Sequence, residues 1–159
     1  MIAVSDTSPI CYLVLIGDID LLPKLFDQVL LPRAVLAELR YDDAPDAVRD
    51  WAANLPTWIA VQEDPRGAET GMEKLQSGEK AAILLAQSAS ADVILLDEKS
   101  ARRVATDRGL RVAGTLAVLA AASLQGLVDL TTAIDRLTKT NFRYSPALLK
   151  GILDRLPHP

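Results

Sequence analysis

The chain of 159 residues contains one cysteine and one histidine, and it has no excess of positive charge. A single cysteine, Cys11, excludes a disulfide framework and a thiolate metal site, and it favours a reducing, cytoplasmic setting. The formal net charge of −4 gives no global positive field that would attract nucleic acid or anionic lipid. A polyanionic substrate would therefore have to be held locally, by a metal ion or a basic rim.

Long hydrophobic runs are also missing. The longest apolar runs are far shorter than the ~18 residues that cross a bilayer, and the first residues lack a basic start followed by a long apolar stretch. We therefore expect neither membrane insertion nor secretion.

Aromatic residues make up only 4% of the chain. Trp51, Trp58 and Tyr144 are too scattered to suggest a base-stacking platform, so packing is the better interpretation of each. His158 lies next to the C-terminus and is assigned no catalytic role.

Half of the residues are hydrophobic, which is ample for the core of one domain, and we predict a single domain over residues 1–159. Short apolar segments alternate with helical periodicity along the first two thirds of the chain. The predicted strands cover residues 2–4, 28–31, 58–62, 92–97 and 110–114. The predicted helices cover residues 8–26 with breaks near Gly17 and Pro23, 32–40 with Pro32 as the first residue, 46–55, 78–89, 98–109, 115–126, 129–137 and 145–156.

This alternation predicts an α/β fold, a three-layer α/β/α sandwich around a parallel sheet of about five strands, followed by a helical C-terminal part. In such sheets, ligands bind at the carboxyl ends of the strands, where the strand order reverses. Residues at strand ends are therefore the first candidates for a functional site.

Two aspartates end predicted strands. Asp6 closes the first strand and Asp97 closes the fourth, so the two would face one crevice if these strands are neighbours. Glu79 opens the helix before the fourth strand, and Glu38 lies at the border of an apolar helix face. Four converging carboxylates would repel each other, and a divalent cation is the natural compensation. Oxygen ligands without nearby His or Cys favour Mg²⁺ or Mn²⁺ over zinc.

Each acid also has a simpler explanation. Asp6 and Asp97 are good helix-capping residues, Glu79 complements a helix dipole, and Glu38 is typical of a solvated helix face. Similarly, the basic residues that follow Asp97 and Glu79 either bind phosphates or form a solvated helix face. These basic residues are Lys80, Lys99, Arg102 and Arg103.

The segments "VSDTSPI", "LLPRAVLAEL", "SGEKAAILLA", "DVILLDEKSARRVA" and "GLRVAGTLAVL" together resemble the PIN-domain family, the ribonuclease fold of VapC-like toxins, in a branch with a glutamate opening the central helix. The resemblance spans residues 4 to about 120. It implies that Asp6, Glu38, Glu79 and Asp97 form an acidic pocket, with Thr7 or Ser8 supporting Asp6.

The resemblance also implies a function. We expect a Mg²⁺- or Mn²⁺-dependent endoribonuclease, the toxin of a type II toxin–antitoxin pair, that leaves a 5′-phosphate product. Asp6, Glu79 and Asp97 would hold one metal ion, or two, and Glu38 would orient a ligand water. RNA, a cognate antitoxin and a second copy of the chain are the expected partners, since the apolar helices at 10–17 and 115–126 suit either self-association or core burial.

The sequence departs from better-known VapC-like toxins in having "LLDEKSARR" after the fourth strand. The fourth acid is therefore either Asp97 or Glu98, and we favour Asp97 because the strand itself directs it. Two other functions stay open. A haloacid-dehalogenase-like phosphotransferase also uses an aspartate followed by Thr, but Ser8 stands where it needs a second carboxylate. A binding or regulatory module that kept the fold without turnover is the non-enzymatic alternative.

Overall fold

A computed structural model describes residues 1–155, and His158 lies outside them. Within these residues the strands are β1 (Ile2–Ser5), β2 (Gln28–Pro32), β3 (Ile59–Gln62), β4 (Val93–Leu95) and β5 (Val112–Ala113). The helices are α1 (Thr7–Leu15), α2 (Leu22–Leu25), α3 (Arg33–Leu39), α4 (Asp46–Ala53), α5 (Ser77–Ser88), α6 (Lys99–Asp107), α7 (Thr115–Leu124), α8 (Leu130–Thr138) and α9 (Pro146–Asp154), with a 3₁₀ turn at Ile19–Leu21.

The five strands form one parallel sheet in the order β3-β2-β1-β4-β5. The chain builds outward from β1 through β2 to β3, then returns to the other side of β1 for β4 and β5. The strand order therefore reverses between β1 and β4, which pair directly, with Val4 opposite Ile94. This is the position at which parallel sheets open a crevice at their carboxyl ends.

Each strand is apolar on both faces because helices cover the sheet on both sides. Ala3 and Leu95 point into the larger core with α1, α3, α4, α7 and α8. Val4 and Ile94, one position along their strands, point into a second core with α5 and α6. The alternation follows from the two-residue period of a strand. The predicted three-layer α/β/α sandwich is confirmed.

Two prolines lie elsewhere than predicted. Pro32 was expected to start a helix, but it is the last residue of β2 and pairs with Gln62. The φ of Pro32 is −64°, a value found in both helices and strands, whereas its ψ of 152° is extended. The proline ring fixes φ alone, so it does not decide between a helix and a strand. Pro23 was expected to break a helix, but it sits in the first turn of α2, where its missing N–H is not needed. Gly17 does end α1, with a φ of +80°.

The C-terminal part of the described chain, from Thr115 to Arg155, is helical, as predicted. The apolar helices α1 and α7 bury much of their surface in the larger core, including Ile10, Leu13, Leu116 and Leu119. Core packing therefore accounts for most of their apolar character. Within residues 1–155, no helix is both long and apolar enough to cross a membrane.

Candidate active site

Asp6 and Asp97 lie at the reversal point of the sheet. Asp6 directly follows β1, and its backbone N–H donates to the carbonyl of Leu95 at the end of β4, at 3.0 Å. Asp97 comes two residues after the end of β4. The intervening residue, Leu96, still donates its backbone N–H to the carbonyl of Ala113 in β5. The pairing of β1 with β4 therefore brings together residues that are 91 positions apart.

Asp6 is the most strongly perturbed of the acids. Its side chain is only 5% exposed, and its buried Oδ1 has no hydrogen-bond partner in the structure. Burial raises the pKa of Asp6 from 3.8 to about 7, the backbone N–H of Thr7 lowers it, and the charges of Glu79, Glu38 and Asp97 raise it. The charges of the other three acids therefore all reach Asp6 at the reversal point of the sheet.

Asp6 occupies the residue before α1, but its side chain makes no capping hydrogen bond. Capping therefore does not explain this aspartate. The expected support of Asp6 by Thr7 comes from the backbone N–H of Thr7, which lowers the pKa of Asp6, whereas the hydroxyl of Thr7 donates to Glu38.

Glu38 is held between two helices. Its Oε2 accepts the hydroxyl of Thr7 from α1, and its Oε1 accepts the backbone N–H of Gly78 in the first turn of α5, at 3.2 Å. A Cβ atom at position 78 would lie 2.6 Å from Glu38 Oε1, so glycine at this position leaves room for the Glu38 carboxylate at the start of α5. Glu38 is half-buried and bonded, which is not the environment of a solvated helix carboxylate.

Glu79 combines a structural role with its place in the site. It is 8% exposed, and its Oε1 accepts the backbone N–H of Gln76 at 2.9 Å, which completes a capping box at the start of α5. Burial raises the pKa of Glu79, the bond from Gln76 lowers it, and the charges of Glu98 and Glu38 raise it. Glu79 was expected to complement the dipole of this helix; it lies in the first turn of α5, completes the capping box there, and also faces other acids.

Asp97 is oriented by the start of α7. Its Oδ1 accepts the backbone N–H of Thr115 and its Oδ2 accepts the hydroxyl of Thr115, both at 2.7 Å. A Cβ at position 114 would lie 2.9 Å from Asp97 Oδ1, so Gly114 leaves the carboxylate room. Burial raises the pKa of Asp97, while the bonds from Thr115 and the charge of Arg102 lower it.

The simpler explanation of Asp97, as the cap of the next helix, is wrong, because Glu98 is the capping residue of α6 and accepts the N–H of Ser100. Thr115 was missed by the sequence analysis. It is fully buried although polar, and no local pattern links it to a residue 18 positions earlier.

Two of the open pockets that adjoin the acids share residues at the start of α1. The first, here named the Glu79 pocket, has a volume of about 380 Å³ and is lined by Ser8, Lys74, Leu75, Gln76, Glu79, Glu98 and Ser100. The second, the Asp97 pocket, has a volume of about 230 Å³ and is lined by Ser8, Tyr12, Asp97, Glu98, Asn141, Phe142 and Arg143. Both pockets include Ser8 and Glu98, so they meet at the start of α1. Glu98 is exposed at this junction, whereas Asp97 is partly buried.

The basic residues that follow the acids differ in position. Arg102 is half-buried beside Asp97, and its charge lowers the pKa of that carboxyl. Lys99 and Arg103 are exposed on α6, whose apolar face is formed by Ala101 and Ala105. Arg102 is therefore the basic residue of this helix that belongs to the site.

No group of three or more His, Cys, Asp or Glu side chains within residues 1–155 is arranged to hold a metal ion by itself. The donors present nevertheless suit a hard cation. Asp6 offers a buried carboxylate oxygen without a partner, and the surrounding ligands are carboxylates. Mg²⁺ usually binds proteins through one or two carboxylates and keeps several waters and substrate phosphates as its other ligands. Asp6, with Asp97 or Glu79, fits that mode.

The fold and site define an open parallel α/β protein with an acidic crevice at the reversal point of its sheet. A family model described as a PIN domain, DUF3368, matches residues 2–158, and the chain belongs to this PIN-domain family. PIN domains are generally nucleases, which supports hydrolysis of nucleic acids as the activity. Neither the curated proteins nor the solved structures gave a significant match.

Proposed function

We propose that this chain is a divalent-cation-dependent endoribonuclease. The observation that carries the proposal is the buried, unpartnered Oδ1 of Asp6 at the reversal point of the sheet, where Asp97 follows the neighbouring strand β4. An ionised carboxylate in this environment is unfavourable without a cation. The raised pKa of Asp6, about 7, expresses the same cost.

In this proposal, the environment of each acid determines its role toward the cation. Asp6 provides the cation with a carboxylate oxygen that no protein group satisfies, and Asp97 or Glu79 adds a second oxygen. The Glu38 carboxylate, on α3, accepts one hydrogen bond from Thr7 of α1 and one from Gly78 of α5, and it adds negative charge beside Asp6. When bound, a Mg²⁺ or Mn²⁺ ion supplies an acidified water and neutralises charge on the phosphate.

We also propose, from the family resemblance, that the chain acts in the cytoplasm as the toxin of a toxin–antitoxin pair. Growth arrest on expression, relieved by a protein encoded next to its gene, supports this role. Expression without any effect on growth or on cellular RNA contradicts it.

Cleavage of a labelled single-stranded oligoribonucleotide tests the enzymatic proposal. We expect cleavage with Mg²⁺ or Mn²⁺, none with EDTA, and near-background cleavage by Asp6→Asn and Asp97→Asn. Asp50→Asn is the matched control, because Asp50 is exposed on α4. Cleavage that persists in Asp6→Asn contradicts the assignment, and a stably phosphorylated Asp6 would favour a phosphotransferase instead.

A further inference from the structure

Three aromatic residues that are distant in sequence form a cluster beside the acids. The rings of Tyr12 and Phe142 meet edge to face, with centroids 4.9 Å apart and an angle of 82°. The rings of Phe142 and Tyr144 lie 6.0 Å apart at 32°. All three side chains are half-buried. Tyr144 was assigned from the sequence to packing, and it packs against Phe142 where α1 and the segment before α9 bring the three rings together.

The aromatic cluster also carries polar groups. The hydroxyl of Tyr12 donates to the side-chain oxygen of Asn141 at 2.9 Å, which holds both side chains in place. The two N–H groups of the Asn141 amide are not used by this bond. Asn141 is exposed, so these donors can reach a ligand in the Asp97 pocket.

An acidic and a basic side chain, Asp97 and Arg143, both act on the Tyr12 hydroxyl. Burial raises the pKa of Tyr12, as do the charges of Cys11 and Asp97, whereas the charge of Arg143 lowers it. The Tyr12 hydroxyl therefore lies within range of both an acid and a cation. Arg143 is exposed and lines the Asp97 pocket, where its guanidinium can bind a phosphate in the bidentate manner that arginine favours.

The two pockets differ in what they offer a substrate. The Glu79 pocket has one cation, Lys74, and no aromatic residue among the side chains that line it. The Asp97 pocket combines Tyr12 and Phe142 with Asn141 and Arg143. Aromatic faces, an amide and an arginine are the groups that bind the base, the base edge and the phosphate of an unpaired nucleotide.

We propose that the Asp97 pocket is the binding subsite for a nucleotide next to the scissile phosphate, with Arg143 on its phosphate and the Tyr12–Phe142 wall with Asn141 on its base. The inference rests on the proposed nuclease function, since the pocket shares Asp97 with that site. It adds residues that the acidic cluster does not include. Arg143, Phe142 and Asn141 are substrate-binding residues in this proposal, and they take no part in bond breaking.

Binding and cleavage are measured separately to test this subsite. The binding probes are adenosine 5′-monophosphate and ribose 5-phosphate, titrated in EDTA and followed by NMR shifts of the Asn141 side-chain amide. The variants are Arg143→Gln and Phe142→Leu. The control is Lys139→Gln, because Lys139 is an exposed cation that pairs with Asp135 on α8. Circular dichroism and thermal unfolding verify that each variant is folded.

We expect the mononucleotide to bind more tightly than ribose 5-phosphate. Arg143→Gln and Phe142→Leu should each weaken mononucleotide binding about tenfold. In cleavage of the oligoribonucleotide, both variants should raise KM about tenfold and leave kcat within about threefold. Lys139→Gln should match the unmodified chain in every assay.

The outcomes separate the two proposals. Cleavage with an unchanged KM in Arg143→Gln and Phe142→Leu overturns the subsite and leaves the nuclease proposal standing. Mononucleotide binding that the variants weaken, without cleavage by any form of the chain, overturns the nuclease proposal and leaves the Asp97 pocket as a nucleotide-binding site without a scissile phosphate. Absence of mononucleotide binding to the unmodified chain overturns the subsite. Binding of ribose 5-phosphate equal to that of the mononucleotide overturns the base contact.

Discussion

Replacing Asp6 with asparagine should stabilise the folded chain at pH 8 while it abolishes cleavage. The reason is the environment of the Asp6 carboxyl, whose pKa is raised from 3.8 to about 7, chiefly by burial. That difference corresponds to about 4 kcal/mol, because each factor of ten in an ionisation constant is worth about 1.4 kcal/mol. Water entry and small movements reduce the cost of a buried charge, so we expect a gain of about 2–4 kcal/mol in the free energy of unfolding.

The gain should depend on pH in one direction. In the unfolded chain Asp6 loses its proton near pH 3.8, whereas in the folded chain it keeps the proton until about pH 7. Between these values the folded state binds more protons, so its stability relative to the unfolded state falls as the pH rises. Asparagine never ionises. The advantage of Asp6→Asn should therefore be near zero at pH 4, grow between pH 4 and 7, and reach its full value at pH 8.

Urea unfolding of both proteins in EDTA, at pH 4, 6 and 8, measures this difference. Asp50→Asn is again the control, and we expect its effect to stay within about 0.5 kcal/mol at each pH, as for most surface substitutions. Added Mg²⁺ should stabilise the unmodified chain through binding to the folded state and should stabilise Asp6→Asn much less. No gain at pH 8, or a gain equal at pH 4 and pH 8, would show that burial of the Asp6 charge has been misjudged.

Three further substitutions test the supports of the other acids. Gly78→Ala should displace the Glu38 carboxylate and lower cleavage, because its Cβ would lie 2.6 Å from Glu38 Oε1. The lost hydrogen bonds and the gain of about 0.5–1 kcal/mol from alanine in a helix oppose each other, so urea unfolding should change by less than about 1 kcal/mol, whereas in a Glu38→Ala background the same substitution should stabilise the chain. Thr115→Val removes the hydroxyl that donates to Asp97, so it should raise the pKa of Asp97 further in an NMR titration and lower the free energy of unfolding by about 1–3 kcal/mol. Thr115→Ser keeps that hydroxyl and should leave the pKa of Asp97 and the free energy of unfolding unchanged. Glu79→Gln should keep the helix cap and change stability by less than about 1 kcal/mol while it lowers cleavage; equal cleavage by Glu79→Gln and the unmodified chain would limit Glu79 to its capping role.

Local pattern was sufficient to predict the layers of this fold. Strands read from short apolar runs, and helices from apolar spacing, depend on residues a few positions apart, so the alternation that predicts a parallel sheet is visible in the sequence. The ends of strands are visible in the same way, which is why Asp6 and Asp97 could be named. Boundaries at Pro32 and Pro23 were wrong because proline's fixed φ is compatible with more than one element.

The partners of the acids were decided by tertiary structure. Glu38 is bonded to Thr7 and Gly78, and Asp97 to Thr115, and none of these pairs follows from spacing along the chain. Strand register and helix packing determine which side chains meet across elements, and both arise from the complete core. The same holds for Tyr12 and Phe142, 130 positions apart, whose contact exists only because α1 and the segment before α9 pack at one end of the sheet.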